Sequence, residues 1–126
     1  MRLPPITLPR ALAAMLFLGA LSSCGSGNAA DSFETPGAAL FAQETCADCH
    51  GADGAGGTLG PALETLSAHW TVSDLSAYLA DPRQFLHSDE RLVRLGQRYI
   101  MPMPDFRGLD EATRLVLAEH LLATFP

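Results

Sequence analysis

Apolar residues are crowded together at the start of this chain and spaced out afterwards. Ala11 to Leu21 is an uncharged apolar run behind Arg2 and Arg10. It falls short of the roughly 20 apolar residues a helix needs to cross a bilayer. Cys24 to Asp31 is rich in Gly, Ser, Asn and Ala and reads as a flexible tether. Helical spacing begins beyond it. Thr35-Pro36 supplies an N-cap and a proline at the first helical position, and Gly37, Leu40 and Phe41 follow on one side. This helix is expected to run into Cys46. Gly51 to Gly60 holds five glycines and reads as a loop closed by Gly60-Pro61. Ala62 to Ala68 predicts a short helix. Thr71-Val72-Ser73-Asp74 forms a capping box with Asp in place of Glu, and the helix it opens must stop before Pro82. Ser88, Asp89 and Glu90 start another helix, with Gly96 its expected end. Met101-Pro102-Met103-Pro104 is extended loop, because the prolines remove backbone donors and clash inside a helix. Asp110 caps a last helix, where Leu115, Ala118, Leu121, Leu122 and Phe125 make one apolar stripe. No convincing strand and no internal repeat is visible, so the expected fold class is all-α.

The chemistry concentrates in Cys46-Ala47-Asp48-Cys49-His50. Two cysteines two residues apart, followed at once by histidine, read as a site of covalent c-type haem attachment. Each thiol can add across one porphyrin vinyl group, and the adjacent histidine can reach the iron. A structural zinc site needs four ligands, and this chain has no second Cys pair while His69, His87 and His120 stand alone. A redox dithiol belongs after a strand, whereas the residues before Cys46 look helical. A disulfide across two residues is geometrically demanding. The glycine-rich loop has no following lysine and no preceding strand, which rejects a phosphate cradle. It fits better as backbone held close to the haem edge.

The N-terminus agrees with this cofactor. Leu21-Ser22-Ser23-Cys24 resembles the lipobox of bacterial lipoprotein signals, in which the cysteine carries lipid. An ordinary signal peptide or an uncleaved anchor is the competing reading. The expected organisation is a lipoprotein signal peptide over 1–23, a tether over 24–35 and one small domain over 36–126. Lipid on Cys24 and haem on Cys46 and Cys49 would leave no odd thiol in an oxidising compartment. The net charge is −6 and the chain contains no lysine. That argues against nucleic acid and against a polybasic membrane clamp. An acidic surface suits an electropositive patch on a partner, or simply solubility.

Beyond Met1 and Met15 the methionines are Met101 and Met103, both in the proline-rich loop. A stiff loop lowers the entropy cost of presenting sulfur to iron, and methionine there favours electron transfer. Gly37…Leu40-Phe41, Cys46 to Gly51, Gly60-Pro61-Ala62-Leu63 and Met103-Pro104-Asp105-Phe106…Leu109-Asp110-Glu111 together resemble small class I c-type cytochromes. The resemblance covers residues 36 to 125. It implies a cytochrome c-like helical domain wrapped around one haem c, held by Cys46 and Cys49. It implies His50 and a methionine as axial ligands, and the Pro61 carbonyl accepting the other ring N–H of His50. Met103 matches the family register, with Met101 the alternative. His120 stands where the family commonly has an aromatic, and that position packs near the first helix, here near Gly37 and Phe41.

Arg91, Arg94 and Arg98 share a helix face. They are either partners for haem propionates or a solvated face. Trp70 and Tyr99 could reach a propionate through their polar tips or simply pack in the core. The expected function is one-electron transfer between a redox donor and acceptor, on the periplasmic side of a bacterial envelope, with the domain anchored through Cys24. No catalytic constellation is evident, so the chain reads as a carrier and not an enzyme. The alternatives are a haem subunit bound to a dehydrogenase or oxidase, and an open-site haem sensor or peroxidase.

Overall fold

A computed structural model describes residues 35–126. The expected signal peptide over 1–23, the expected lipidation site at Cys24 and the expected tether up to residue 34 lie outside the described residues. Five α-helices occur within them: α1 Pro36–Gln43, α2 Cys46–His50, α3 Val72–Ala80, α4 Glu90–Arg98 and α5 Glu111–Thr124. Short 3-10 turns cover Leu66–Ala68 and Pro82–Phe85. No strand is present among the described residues, and the fold is all-α. No described helix is long and apolar enough to cross a membrane.

Local signals set most helix ends. The Thr35 hydroxyl accepts from the Ala38 N–H at 3.2 Å, with Pro36 at the first position of α1. At α3 the Asp74 N–H donates to Thr71 Oγ1 at 3.1 Å, and that hydroxyl donates onward to the Asp74 carboxylate at 2.7 Å. The expected capping box is therefore half formed, because the shorter Asp side chain meets the hydroxyl. Asp89, rather than Ser88, caps α4, accepting from Arg91 N–H at 2.8 Å. Asp110 caps α5, accepting from Thr113 N–H at 2.7 Å, and that bond holds its carboxyl below the usual range. Its cap is thus present at neutral pH and weakens as the carboxylate protonates in acid.

Four expectations need correction. The first helix does not run into Cys46: Thr45 sits in the left-handed region at φ 54° and starts α2 afresh. Ala62 to Ala68 is mostly loop, because Thr65 at φ 61° leaves only a 3-10 turn behind it. Gly96 does not end α4, which continues to Arg98 and passes into extended backbone at Tyr99. The stripe on α5 is incomplete: Ala118 and Leu121 lie in the core and Leu122 and Phe125 pack against it as expected, but it omits Leu117 and includes Leu115, which is not part of the core. Leu117 is fully buried with Ala118 and Leu121, whereas Leu115, Leu122 and Phe125 are half-buried. A single stripe suits a helix covered on one side, but α5 packs against both α1 and α3.

The core joins Phe41, Leu63, Leu75, Leu79, Phe106, Leu117, Ala118 and Leu121. Where α1 crosses α5, Gly37 lies against His120: a Cβ built at Gly37 would come within 2.2 Å of His120 Cβ. The His120 ring lies 6.4 Å from Phe41 between centroids, so it occupies the place expected for it. Its Nδ1 is 3.4 Å from the hydroxyls of Thr35 and Thr124. Gly37→Ala should therefore force the helices apart and destabilise the domain by about 1–3 kcal/mol, as overpacking does. Denaturant unfolding of the holoprotein measures this.

Candidate functional site

The break at Thr45 frees α2 to take its own direction. On this short helix Cys46, Cys49 and His50 stand at i, i+3 and i+4, hence on one face. His50 is buried at 8% exposure, and its Nδ1 lies 2.7 Å from the Pro61 carbonyl oxygen. A carbonyl only accepts, so the proton must be on Nδ1. That tautomer leaves the Nε2 lone pair free for a metal and fixes the ring plane.

The glycine-rich loop exists to bring Pro61 back over His50. The Gly56 N–H donates to the His50 carbonyl at 2.7 Å, and the Leu63 N–H donates to the Gly54 carbonyl at 2.8 Å. Gly56 takes φ 75°, and a Cβ there would lie 2.4 Å from the Ala62 nitrogen. Any side chain at this point would push the Pro61–Ala62 backbone away. The loop is closed from below by the chain's last residues. Thr65 and Leu66 N–H groups donate to the Pro126 and Phe125 carbonyls at 3.0 and 3.3 Å.

Cys46 and Cys49 are free and half-buried. Burial pushes the Cys46 thiol up to about 11, with the nearby Glu44 charge adding to it. A Cys46 thiol that stays protonated at neutral pH does not offer the thiolate that zinc binding uses. Among the described residues no three His, Cys, Asp or Glu side chains gather to hold a metal ion.

Met103 is half-buried and packs against the core, whereas Met101 is 60% exposed. The loop carrying them is free of helix, as expected, and bends at Ile100 and Met101. Its far end is pinned by buried Phe106, whose N–H donates to the Leu79 carbonyl at 2.9 Å. The sequence reading missed this pin; the signal available was the lone aromatic following Met103-Pro104-Asp105.

A cleft of about 570 Å³ opens beside Pro61. Its walls include Leu66 and Leu95, with Arg91, Arg98 and Tyr99 around it. The three-arginine face of α4 is thus divided. Arg94 points elsewhere and pairs with Glu90 at 2.9 Å. Arg91 pairs with Asp89 at 3.2 Å and lies over the Trp70 ring at 5.2 Å. Burial would raise the Asp89 carboxyl, but the Arg91 N–H and guanidinium, with the Leu92 N–H, hold it below its ordinary value. Trp70 packs on Tyr78 at 4.9 Å, and Tyr78 on Phe85 at 5.6 Å. Trp70 is therefore a packing residue that also seats Arg91.

A buried imidazole with a free Nε2 and a half-buried thioether are donors that fit haem iron, and two free thiols on the imidazole's face suit attachment to the porphyrin. The comparison with known families agrees. A family model for cytochrome c matches residues 34–124, and the chain belongs to the cytochrome c family. It binds haem c covalently, as the Cys46-x-x-Cys49-His50 motif fits, and its chemistry is haem-based electron transfer. No curated protein and no solved structure matches the chain.

Gly56→Ala should strain the loop by about 1–3 kcal/mol through its positive φ alone. The expected outcome is a less stable holoprotein with less haem per chain, read from denaturant unfolding and the ratio of haem to protein absorbance.

Proposed function

We propose that this protein is a monohaem electron carrier of the bacterial cell envelope, shuttling single electrons between a redox donor and acceptor. Cys46 and Cys49 carry the thioether links. His50 Nε2 and Met103 Sδ would be the two protein donors that hold the iron. The observation that carries this reading is the 2.7 Å bond from His50 Nδ1 to the Pro61 carbonyl, which presents Nε2 from the motif face. When bound, the haem supplies a one-electron couple at its iron. The protein's part is to fix that couple. The Pro61 carbonyl raises the basicity of the imidazole and stops the ring from turning. The Pro102 and Pro104 rings and the Phe106 pin hold the methionine loop in one shape, so little needs to rearrange when charge changes.

Met103 is favoured over Met101 by its packing against the core as well as by its register with the family. Met103→Ala should abolish the weak red-region sulfur–iron absorption and let the reduced protein take up carbon monoxide. Met101→Ala should leave both unchanged. The reverse result would move the ligand to Met101. A carbon monoxide adduct formed readily by the unaltered protein would favour the open-site sensor or peroxidase instead.

The same proposal places the domain on the periplasmic side of the membrane, anchored through lipid on Cys24. What supports this is Leu21-Ser22-Ser23-Cys24 at the end of an apolar run, together with haem chemistry that uses two exported thiols. Cys24→Ser should shift the protein from the membrane to the soluble fraction. Retention in the membrane would remove the lipid anchor from the proposal. A partner bound tightly enough to co-purify through several columns would make the chain a subunit of a larger oxidoreductase.

A further inference from the structure

We propose that Leu59, with Asp48 and Asp53 around it, is the face on which a redox partner docks, and that the partner presents an apolar patch rimmed by lysine or arginine. The inference rests on the haem reading and deepens it, by naming a surface and the kind of protein that fits it.

Leu59 stands at the tip of a closed turn. The Gly57 N–H donates to the Gly60 carbonyl at 2.9 Å, and Thr58 and Leu59 are the exposed residues between them. Gly60 is pressed onto the haem motif. A Cβ built there would come within 3.0 Å of the Cys49 carbonyl oxygen and 3.1 Å of Cys49 Cβ. The turn therefore brings a leucine to the half-buried cysteine that anchors the porphyrin. Leu59 is 47% exposed and belongs neither to the core nor to the residues packed against it. A lone exposed leucine is ordinary on a protein surface. This one is set apart by its fixed place beside Cys49 and by the charge around it.

From Thr35 to Pro82 the chain has no lysine and no arginine, and its formally charged residues are Glu44, Asp48, Asp53, Glu64, Asp74 and Asp81. The arginines of the described residues all follow, from Arg83 onward, and the ion pairs join them to Asp89, Glu90 and Asp105. Asp48, directly before Cys49, and Asp53, in the same glycine loop as Leu59, are exposed and have no cationic partner among the described residues. An apolar centre inside a polar rim is the anatomy of a protein interface. A rim of one sign steers in a partner of the other. Ile100 is the rival knob, at 99% exposure. It follows Arg98, and no carboxylate occurs between it and Asp105, so a cationic partner gains nothing there.

Two oxidants of the reduced holoprotein test this. Tris(phenanthroline)cobalt(III) is a cation with flat apolar ligands, and ferricyanide is an anion of equal and opposite charge without them. Each takes one electron from ferrous iron. At low salt, Asp48→Asn with Asp53→Asn should slow the cobalt reaction about three- to tenfold, and added salt should erase the difference. Leu59→Ser should slow it about two- to fivefold, Leu59→Met should restore it, and Ile100→Ser should leave it unchanged. Ferricyanide should ignore Leu59→Ser and react faster once the two carboxylates are gone. A cobalt rate indifferent to Leu59→Ser, or slowed by Ile100→Ser instead, would overturn the proposal.

A second readout involves no electron transfer. Tris(ethylenediamine)chromium(III) is paramagnetic and takes no electron from the protein. In the ferrous holoprotein it should first broaden the amide signals of residues 48–53 and 58–59. Broadening centred on Asp74 or Glu119 would sink the docking face. Rates are corrected for any change in potential, and the sulfur–iron absorption is recorded throughout. Its persistence separates a change at the docking face from a failure of the axial ligand assignment.

Discussion

The bond between the His50 ring and the Pro61 carbonyl is the constraint around which the rest of the structure is arranged. It joins positions eleven residues apart, and everything between them serves to make that return. Gly51 leaves α2 at positive φ, Gly56 turns the chain where no side chain fits, and the Leu63 amide locks onto Gly54. The bond also decides the chemistry of the imidazole. It assigns the proton to Nδ1 and so makes Nε2 a donor to metal. A histidine without that carbonyl would be free to choose either tautomer and either face.

Around this bond the helices act as a frame. α5 is clamped between α1 and α3, which explains why Leu117 is inaccessible although no single stripe predicts it. The close approach at Gly37 lets α1 lie directly on His120, and α1 then sets where Thr45 can turn the chain. On the opposite side, Leu79 contributes twice. Its side chain fills the core and its carbonyl receives Phe106, so α3 fixes the height of the methionine loop. The two axial candidates are thus presented by different parts of one packed unit.

The haem motif, the capped helix starts and the helix-free Met-Pro segment were legible because each depends on residues close in sequence. Thr35, Asp110 and the prolines act within a turn of themselves. What was not legible depends on tertiary context. Thr45 and Thr65 adopt left-handed backbone that β-branched residues seldom take, so no local signal announces them. Gly96 is tolerated within α4, its nearest side-chain neighbour being Leu86, which overrides its usual role as a terminator. The division of the arginines needed the cleft itself: helical spacing grouped all three, but only Arg91 and Arg98 face it.

The hydrogen bonds from Thr65 and Leu66 to the last two carbonyls have a consequence for motion. Phe125 packs under Gly54, at the base of the same glycine loop. Fraying at the end of α5 would therefore not remain local, as fraying at a helix end usually does. It would loosen the loop that supports Pro61. The C-terminal turn and the proximal loop should open and close as one cooperative segment, with shared amide exchange rates. The last residues of the chain thus become part of how long the imidazole keeps its orientation.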